Sequence, residues 1–392
     1  MKETIRVSVV IPVYNAQNYL CQCLDSVCAQ TLREIEILCV DDGSTDRSPE
    51  ILEEYRQRDG RLRVFRQENA GAAMARNAGL DRARGEYLIC WDADDFFEPA
   101  ALEKLYGRAA ADQADICVCG VSRFFEDSGE EEAAGGYLKM SRVPAELPFN
   151  MQTNYEHILD FTTGSACNKL MRRAFLQTHE LRFLPLKNGE DINLVTKALC
   201  LAERITVVNE RLYHYRVSQS DSLSGRWQEN YEDPVRAWID AADYLRERDL
   251  FPERSFANRA LSFMLSILVR TRSSWEVFRN MVRILKDGAL ERIGVTEREE
   301  GYYYEPWKAE CLHHMLNDSI EEFLYYYLFD TNSRLQQARG HSAKLRAELK
   351  AAQKTERALA RENENLLNSK EYKLGKSMLF LPRGIQKKLK EQ

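Results

Sequence analysis

Between residues 5 and 120 the chain alternates short apolar runs with amphipathic stretches, and two of the apolar runs end directly in clustered aspartates. Val7-Ser8-Val9-Val10-Ile11, Ile35-Glu36-Ile37-Leu38-Cys39-Val40, Leu62 to Phe65 and Tyr87-Leu88-Ile89-Cys90-Trp91 read as four strands. After the first, Tyr19, Leu20, Cys23, Leu24 and Val27 recur at helical spacing behind Asn15, which is placed to cap that helix. Further helices are predicted from about Ser48 to Arg58 and from about Gly71 to Arg84. Strands that alternate with helices in this way build a parallel sheet through crossover connections, so the predicted fold class is α/β.

In an open parallel sheet, ligands bind outside the carboxyl ends of the strands. The acids that follow the second and fourth strands, Asp41/Asp42 and Asp92/Asp94/Asp95, are therefore predicted to face one crevice. Asp92 and Asp94 stand one residue apart and offer oxygen ligands of the kind that hold a hard cation against substrate phosphates. A purely structural role competes with this: Asp95 or Glu98 before Pro99 starts the next helix, and Asp42 closes an Asx turn.

Composition bounds the rest. A chain of 392 residues, 44% hydrophobic and 30% charged, has room for two domains plus accessory helices and is not mainly disordered. Its longest apolar stretch, Ala260 to Val269 between Arg259 and Arg270, is half of the roughly 20 residues a membrane span needs, and reads as a buried helix. Met1 to Arg6 lack the apolar core of a signal peptide, so a cytoplasmic location is predicted. The ten cysteines fall in apolar segments or in one helix, without paired C-x-x-C spacing, and read as reduced core thiols rather than disulfides or a zinc site. The net charge of −6 hides an asymmetry: residues 333–392 carry 15 Lys and Arg against 6 Asp and Glu, a net +9, which leaves residues 1–332 at −15. An acidic body argues against broad nucleic-acid binding, and a basic tail suits an anionic membrane surface or an acidic partner.

Four segments are predicted: a sheet domain over 1–225, a helical bundle over 226–332, a helical or coiled-coil segment over 333–369, and a basic amphipathic tail over 370–392. Ser128 to Gly136 is acidic and glycine-rich, and is predicted to be a loop. The coiled-coil reading rests on a heptad seam, with Ala338, Leu345, Ala352, Leu359 and Leu366 as the apolar row and Leu335, Ser342, Leu349, Glu356 and Asn363 as a more polar one. A single solvated helix is its alternative. The tail mixes Leu374, Met378, Leu379, Phe380, Leu381 and Ile385 with seven basic residues from Lys370 onward, the pattern of an interfacial helix.

Four ordered motifs carry a resemblance: Val9-Val10-Ile11-Pro12-Val13-Tyr14-Asn15; Val40-Asp41-Asp42-Gly43-Ser44-Thr45-Asp46; Asn69-Ala70-Gly71 with Ala75-Arg76-Asn77-Ala78-Gly79; and Asp92-Ala93-Asp94-Asp95. Over about residues 5 to 225 the chain resembles glycosyltransferase family 2. The resemblance implies a GT-A fold, a Rossmann-like mostly parallel sheet flanked by helices and followed here by an α-helical C-terminal region. It implies transfer of a sugar from a nucleotide diphosphate donor, usually a UDP-sugar, with inversion at the anomeric carbon. Pro12, Tyr14 and the Asp41/Asp42 pair would line the nucleoside pocket, with either aspartate accepting from the base. Arg76 would lie near the diphosphate, and Asp92 and Asp94 would hold Mg2+ or Mn2+ against it, where a cation and a guanidinium stabilise the charge that builds on the departing diphosphate.

Inversion requires a base across the sugar from the metal. Glu190-Asp191, between Lys187-Asn188-Gly189 and Ile192-Asn193-Leu194-Val195, resembles the family's glutamate–aspartate motif, with Asp191 as the base; a helix cap is the alternative role. Lys169, in Ser165-Ala166-Cys167-Asn168-Lys169-Leu170, would reach the donor phosphates or serve the structure. Tyr213-His214-Tyr215-Arg216 with Ser220 to Ser224 resembles the motif that closes the catalytic domain, in which His214 or Arg216 would touch diphosphate or metal; for His214 the structural role is favoured.

Processive synthases of this superfamily combine a Q-x-x-R-W motif with membrane helices, whereas Arg226-Trp227 here follows Leu223 where the glutamine belongs, so a non-processive enzyme is predicted. The tail, Ser369 to Lys376 followed by Pro382-Arg383, resembles a segment found after coiled coils in bacterial family members and implies cell-envelope polysaccharide assembly with a glycan or lipid-linked glycan acceptor. The basic tail then contacts the inner face of the plasma membrane, or pairs helices in a homodimer. A catalytically silent nucleotide-sugar-binding scaffold acting through its helical region is the alternative function. A sugar nucleotidyltransferase lacks its Gly-rich, Arg-containing loop here, and a dinucleotide-dependent dehydrogenase lacks its G-x-G-x-x-G.

Overall fold

The computed structural model describes residues 4–217, 229–271, 274–329 and 333. The heptad segment from 334 onward, the basic tail, Ser220 to Ser224 and Arg226-Trp227 lie outside the described residues. The chain divides into a unit over Met1–Ile320 and a second over Glu321–Gln392, of which residues 321–329 are helical.

The first unit opens with the expected alternation: β1 (Val7–Val13), α1 (Leu20–Cys28), β2 (Ile35–Asp41), α2 (Ser48–Arg58), β3 (Leu62–Arg66), α3 (Ala72–Arg82) and β4 (Tyr87–Cys90). It continues through β5 (Phe96–Phe97), α4 (Ala101–Ala111), β6 (Ile116–Phe125), β7 (Glu130–Ala133), β8 (Lys169–Arg172), α5 (Arg173–Thr178), α6 (Glu190–Leu201) and β9 (Ile205–Val217). Five helices follow: α7 (Asp233–Arg246), α8 (Glu253–Thr271), α9 (Trp275–Ile284), α10 (Leu290–Ile293) and α11 (Pro306–Asn317).

All nine strands share one sheet, ordered β3-β2-β1-β4-β8-β6-β9-β5 with β7 paired to β6. The pairs β3–β2, β2–β1 and β1–β4 are parallel, while β8 runs antiparallel to both β4 and β6, and β9 returns parallel to β6. β1 therefore sits where the chain order reverses, with β2 on one side and β4 on the other, and the carboxyl ends of these three strands open on one crevice.

β1, β2 and β4 are buried on both faces, which is why they read as continuous Val/Ile/Leu/Cys runs rather than as alternating strands. α1 covers one face with Leu20, Cys23, Leu24 and Val27. On the other, α3 approaches β1 so closely that a Cβ on Gly79 would lie 2.2 Å from Val10 Cγ1. Beyond β4 the core is aromatic, with the Trp91 and Phe97 rings stacked at 3.6 Å. Trp238 of α7 meets Phe256 of α8 edge to face at 5.0 Å in a core of their own.

Two local expectations are corrected. Asn15 does not cap α1, whose N-cap position is held by Tyr19. Instead Asn15 takes a left-handed backbone (φ 49°) and its side-chain oxygen accepts from the Thr45 amide at 2.8 Å, tying the loop after β1 to the loop after β2. The acidic Ser128–Gly136 segment contains a strand, β7, since β6 supplies an antiparallel partner for residues too polar to be recognised as strand. Residues 137–217 hold β8, α5, α6 and β9 between irregular stretches. None of the ten cysteines is in a disulfide; Cys21 is exposed and Cys28 partly so, and the others are buried. Among the described residues no helix is long and apolar enough to cross a membrane.

Candidate active site

One side of the crevice is built by the loops after β1, β2 and β3. Pro12 is the penultimate residue of β1, and Tyr14, just beyond it, is half exposed over the crevice. Asp41 and Asp42 are both buried but differ in their partners. Asp42 spends both oxygens on the segment leading into α3: Oδ1 accepts from Gln67 Nε2 at 2.7 Å and the Ala70 amide at 2.9 Å, and Oδ2 from the Gly71 amide at 2.8 Å. Asp41 closes the β2 turn through Oδ1, which accepts from the Ser44 amide at 2.9 Å, while its Oδ2 faces Arg66 Nε at 3.3 Å.

The aspartates after β4 diverge in the same way. Asp95 is an interior anchor rather than a helix cap: it accepts from the Arg216 amide at 2.7 Å and from the Tyr213 hydroxyl, and burial raises its pKa despite these donors. Asp94 accepts from its own amide, and no other residue among those described donates to its carboxylate. Burial, with the like charge of Asp92, pushes its pKa up to about 6. Asp92 remains partly exposed, with Oδ1 held by Arg76 Nη2 at 2.7 Å and Oδ2 accepting from the Cys167 thiol at 3.1 Å.

Arg76 is the hub. It lies on α3, buried, with Phe183 5.4 Å from its guanidinium carbon, and it gathers three carboxylates: Asp92, Glu190 (Nη1 to Oε1, 2.6 Å) and Asp191 (Nη1 to Oδ1, 3.5 Å). Burial disfavours its charge, but the three acids outweigh burial and hold its pKa above the ordinary arginine value. The resemblance placed Arg76 beside a diphosphate; in the structure its partners are the carboxylates that flank that position. Glu190 and Asp191 open α6 behind Gly189, whose left-handed backbone (φ 77°) sets the turn. Burial raises the pKa of both acids and Arg76 opposes it. Asp191 Oδ2 accepts from the Ala166 amide at 3.0 Å, whereas Oδ1 is buried with no hydrogen-bond donor.

Two positions are corrected. Lys169 is fully buried and donates to Ser165 O at 2.7 Å and Asn168 Oδ1 at 2.8 Å, so its ammonium braces its own loop instead of reaching toward phosphates; burial, with Arg259 nearby, lowers its pKa to about 7. His214 lies flat against Phe96 with ring centres 4.5 Å apart and bridges Glu98 (3.0 Å) and Glu131 (3.1 Å), which is the structural role. Arg216 supports the Asp92–Asp95 turn from behind: its Nε donates to Asp94 O at 2.8 Å and its guanidinium lies over Tyr19, 4.9 Å from the ring centre.

Two residues at the site escaped the sequence reading. Arg66 ends β3 and faces Asp41, and the strand-end rule that found the aspartates applies to it equally. Cys167, hydrogen-bonded to Asp92, carried no signal, since nothing local to Ser165–Leu170 reveals a contact with residues 75 positions away. Among the described residues no group of three or more His, Cys, Asp and Glu side chains is arranged to hold a metal ion. Asp92 and Asp94 still fit a hard divalent cation in part: both are oxygen donors, and a cation would relieve the like-charge burial of Asp94, with a donor diphosphate completing the coordination.

Comparison with known proteins agrees with this arrangement. The family described as Glycosyl transferase family 2 matches residues 8–179. Over 254 residues the chain is 34% identical to the putative glycosyltransferase EpsH of Bacillus subtilis, covering 64% of this chain and 72% of that protein. It is 37% identical to glycosyltransferase GlyA of Streptococcus pneumoniae over 239 residues, 60% of this chain but 33% of that protein. It is 29% identical over 271 residues, 66% of this chain and 40% of the other, to the poly(ribitol-phosphate) beta-glucosyltransferase of Bacillus spizizenii. In fold, residues 1–349 of S. aureus TarS in complex with UDP-GlcNAc superpose with a TM-score of 0.64 at 21% identity, covering 84% of this chain and 92% of that one. The chain is a member of glycosyltransferase family 2, with the mostly parallel, helix-flanked sheet of that fold.

Proposed function

We propose that this chain transfers a sugar from a UDP-sugar to a hydroxyl acceptor in bacterial cell-surface polysaccharide assembly, with a divalent cation and with inversion. The observation that carries the proposal is the state of Asp191. One of its carboxylate oxygens is fixed by the Ala166 amide, and the other, which accepts no hydrogen bond and faces Arg76 Nη1 at 3.5 Å, is the one assigned to the proton of an incoming hydroxyl. Burial raises its proton affinity, as a general base requires. Asp92 and Asp94 stand across Arg76 from it, so one guanidinium ties the base to the diphosphate side of the crevice.

The remaining residues divide accordingly. Asp41, which keeps more unspent acceptor capacity than Asp42, accepts from the uracil imide, with Tyr14 and Pro12 as walls and Arg66 at the pocket edge. Asp94 and Asp92 hold Mg2+ or Mn2+, which supplies Lewis-acid stabilisation of the departing diphosphate. Glu190 and Arg76 position the base, with Arg76 offsetting part of the acidic charge of the site before the donor enters. UDP as the nucleotide rests on the UDP-GlcNAc complex of the TarS fold relative, and polysaccharide assembly on the relatives named above. Non-processive action rests on Leu223 in place of the glutamine of Q-x-x-R-W.

Titration calorimetry of UDP-sugars, with and without Mn2+, tests the reading. One UDP-sugar is expected to bind with an affinity that Mn2+ raises at least about tenfold and that Asp94→Asn returns to the metal-free value. Equal binding with and without the ion, in both proteins, would remove the metal from the mechanism.

A further inference from the structure

Asp191 follows a turn, Lys187-Asn188-Gly189, that is held from the helical region. Asp233, the first residue of α7, accepts there through a single oxygen, Oδ2, from the Lys187 amide at 2.9 Å and from the Asn188 amide at 3.4 Å. The Asn188 side chain donates in turn to Asn230 O at 3.1 Å, just ahead of the same helix. Gly189 approaches α7 so closely that a Cβ on it would lie 3.3 Å from Pro234 Cα, and its left-handed backbone leads directly into Glu190 and Asp191. Further along the two helices, Asn193 of α6 donates to Ala237 O at 3.0 Å and to Asp240 Oδ1 at 2.8 Å. The chain that enters the turn is clamped separately by Asn77 of α3, which donates to Phe183 O at 2.8 Å and accepts from the Phe183 amide at 3.0 Å.

Bonds from backbone amides to a carboxylate are charge-assisted and strong, so two of them on one oxygen fix the path of the turn. The path matters because a reacting group displaced by about 1 Å costs on the order of 100-fold in rate. Asp92 and Asp94 follow β4 and Arg76 lies on α3, and among the described residues Asp233 makes no hydrogen bond or ion pair with any of the three. We propose that Asp233 is a positioning residue for the base: by holding the Lys187 and Asn188 amides it sets where Asp191 stands against the incoming hydroxyl, while the donor side is built without it. This rests on the reading of Asp191 as the base and makes α7 part of the catalytic apparatus. An acid in the first turn also favours a helix through its dipole, but that effect needs a charge, whereas positioning needs only an acceptor oxygen.

The test compares the full chain with Asp233→Ala, Asp233→Asn and, as a control, Glu232→Ala, which removes a neighbouring acid that pairs with Arg236 at 3.0 Å. With UDP-GlcNAc and Mn2+, Asp233→Ala is expected to lower kcat for UDP release at least about tenfold with donor affinity within about twofold of wild type. Asp233→Asn loses the charge but keeps an acceptor oxygen, and is expected to restore turnover to within about threefold of wild type; Glu232→Ala is expected to match it. Hydrogen exchange followed by NMR reads the anchor without any donor. The Lys187 and Asn188 amides are expected to exchange about tenfold or more faster in Asp233→Ala and at the wild-type rate in Glu232→Ala. Unchanged exchange would overturn the anchor. Wild-type turnover in Asp233→Ala, a loss that falls equally on donor affinity, or a loss that Asp233→Asn does not rescue would overturn the positioning role. Faster exchange in Asp233→Ala, together with no UDP release by the wild type from any UDP-sugar, would instead count against the transferase reading.

Discussion

Arg76 Nη1 lies 2.6 Å from Glu190 Oε1, joining residues 114 positions apart in the chain. This contact fixes α6, with Asp191 near its start, to α3, which packs on the central strand. The site is therefore assembled across the sheet rather than along it, with one guanidinium drawing three acids together and Phe183 beside it.

Arg76→Lys keeps the charge but not the fork that reaches Asp92 and Glu190 together. UDP release is expected to fall by about 100-fold with the fold retained, since a lysine is a point charge and leaves one acid unheld. Arg76→Ala leaves three clustered, partly buried carboxylates uncompensated and is expected to cost about 3 kcal/mol in chemical denaturation. A lysine variant with normal turnover would reduce Arg76 to charge balance alone.

Gly79 marks the closest approach of α3 to β1, where an added Cβ meets Val10 Cγ1 at 2.2 Å. Gly79→Ala is expected to destabilise by about 1–3 kcal/mol in denaturant melts. In a Val10→Ala background the cost is expected to shrink by more than about 0.5 kcal/mol, because the two positions share one space. Simple additivity would place the strain elsewhere.

Lys169 gives a pH signature. Its pKa is about 7 in the folded chain against an ordinary lysine value of 10.5, so between those values the unfolded chain binds more protons than the native one. Stability contributed through this group therefore rises as pH increases from about 7 toward 10.5, by at most about 1.4 kcal/mol per pH unit. Below pH 7 both states carry the proton, and the burial cost is fully present. In melts over pH 6.5 to 9, the wild type is expected to gain stability with pH relative to Lys169→Met. Parallel profiles would show that the ammonium is solvated.

The parallel half of the sheet was legible because β1, β2 and β4 are buried on both faces and end in polar clusters at short, regular intervals. The strand-end rule then led to Asp41, Asp42, Asp92 and Asp94 without any long-range information. The antiparallel half was not legible for a physical reason: β5 has two residues, β7 is three glutamates and an alanine, and each becomes a strand only through its partner. The partners of Arg76 and Cys167 were hidden in the same way, since a buried guanidinium and a surface helix arginine look alike in sequence. Asn15 shows the converse, a residue with strong local capping preference claimed instead by the Thr45 amide.

The central claim is that Asp191 takes the acceptor proton while Arg76 and the aspartates after β4 serve the donor side. Asp191→Asn tests it most directly, because the amide keeps the shape of the carboxylate and removes its basicity. With UDP-GlcNAc and Mn2+, the account predicts donor affinity within about twofold of wild type and UDP release, to water or to an added acceptor, lowered by about 100-fold or more. Unchanged UDP release at unchanged affinity would contradict it and put the base on another residue.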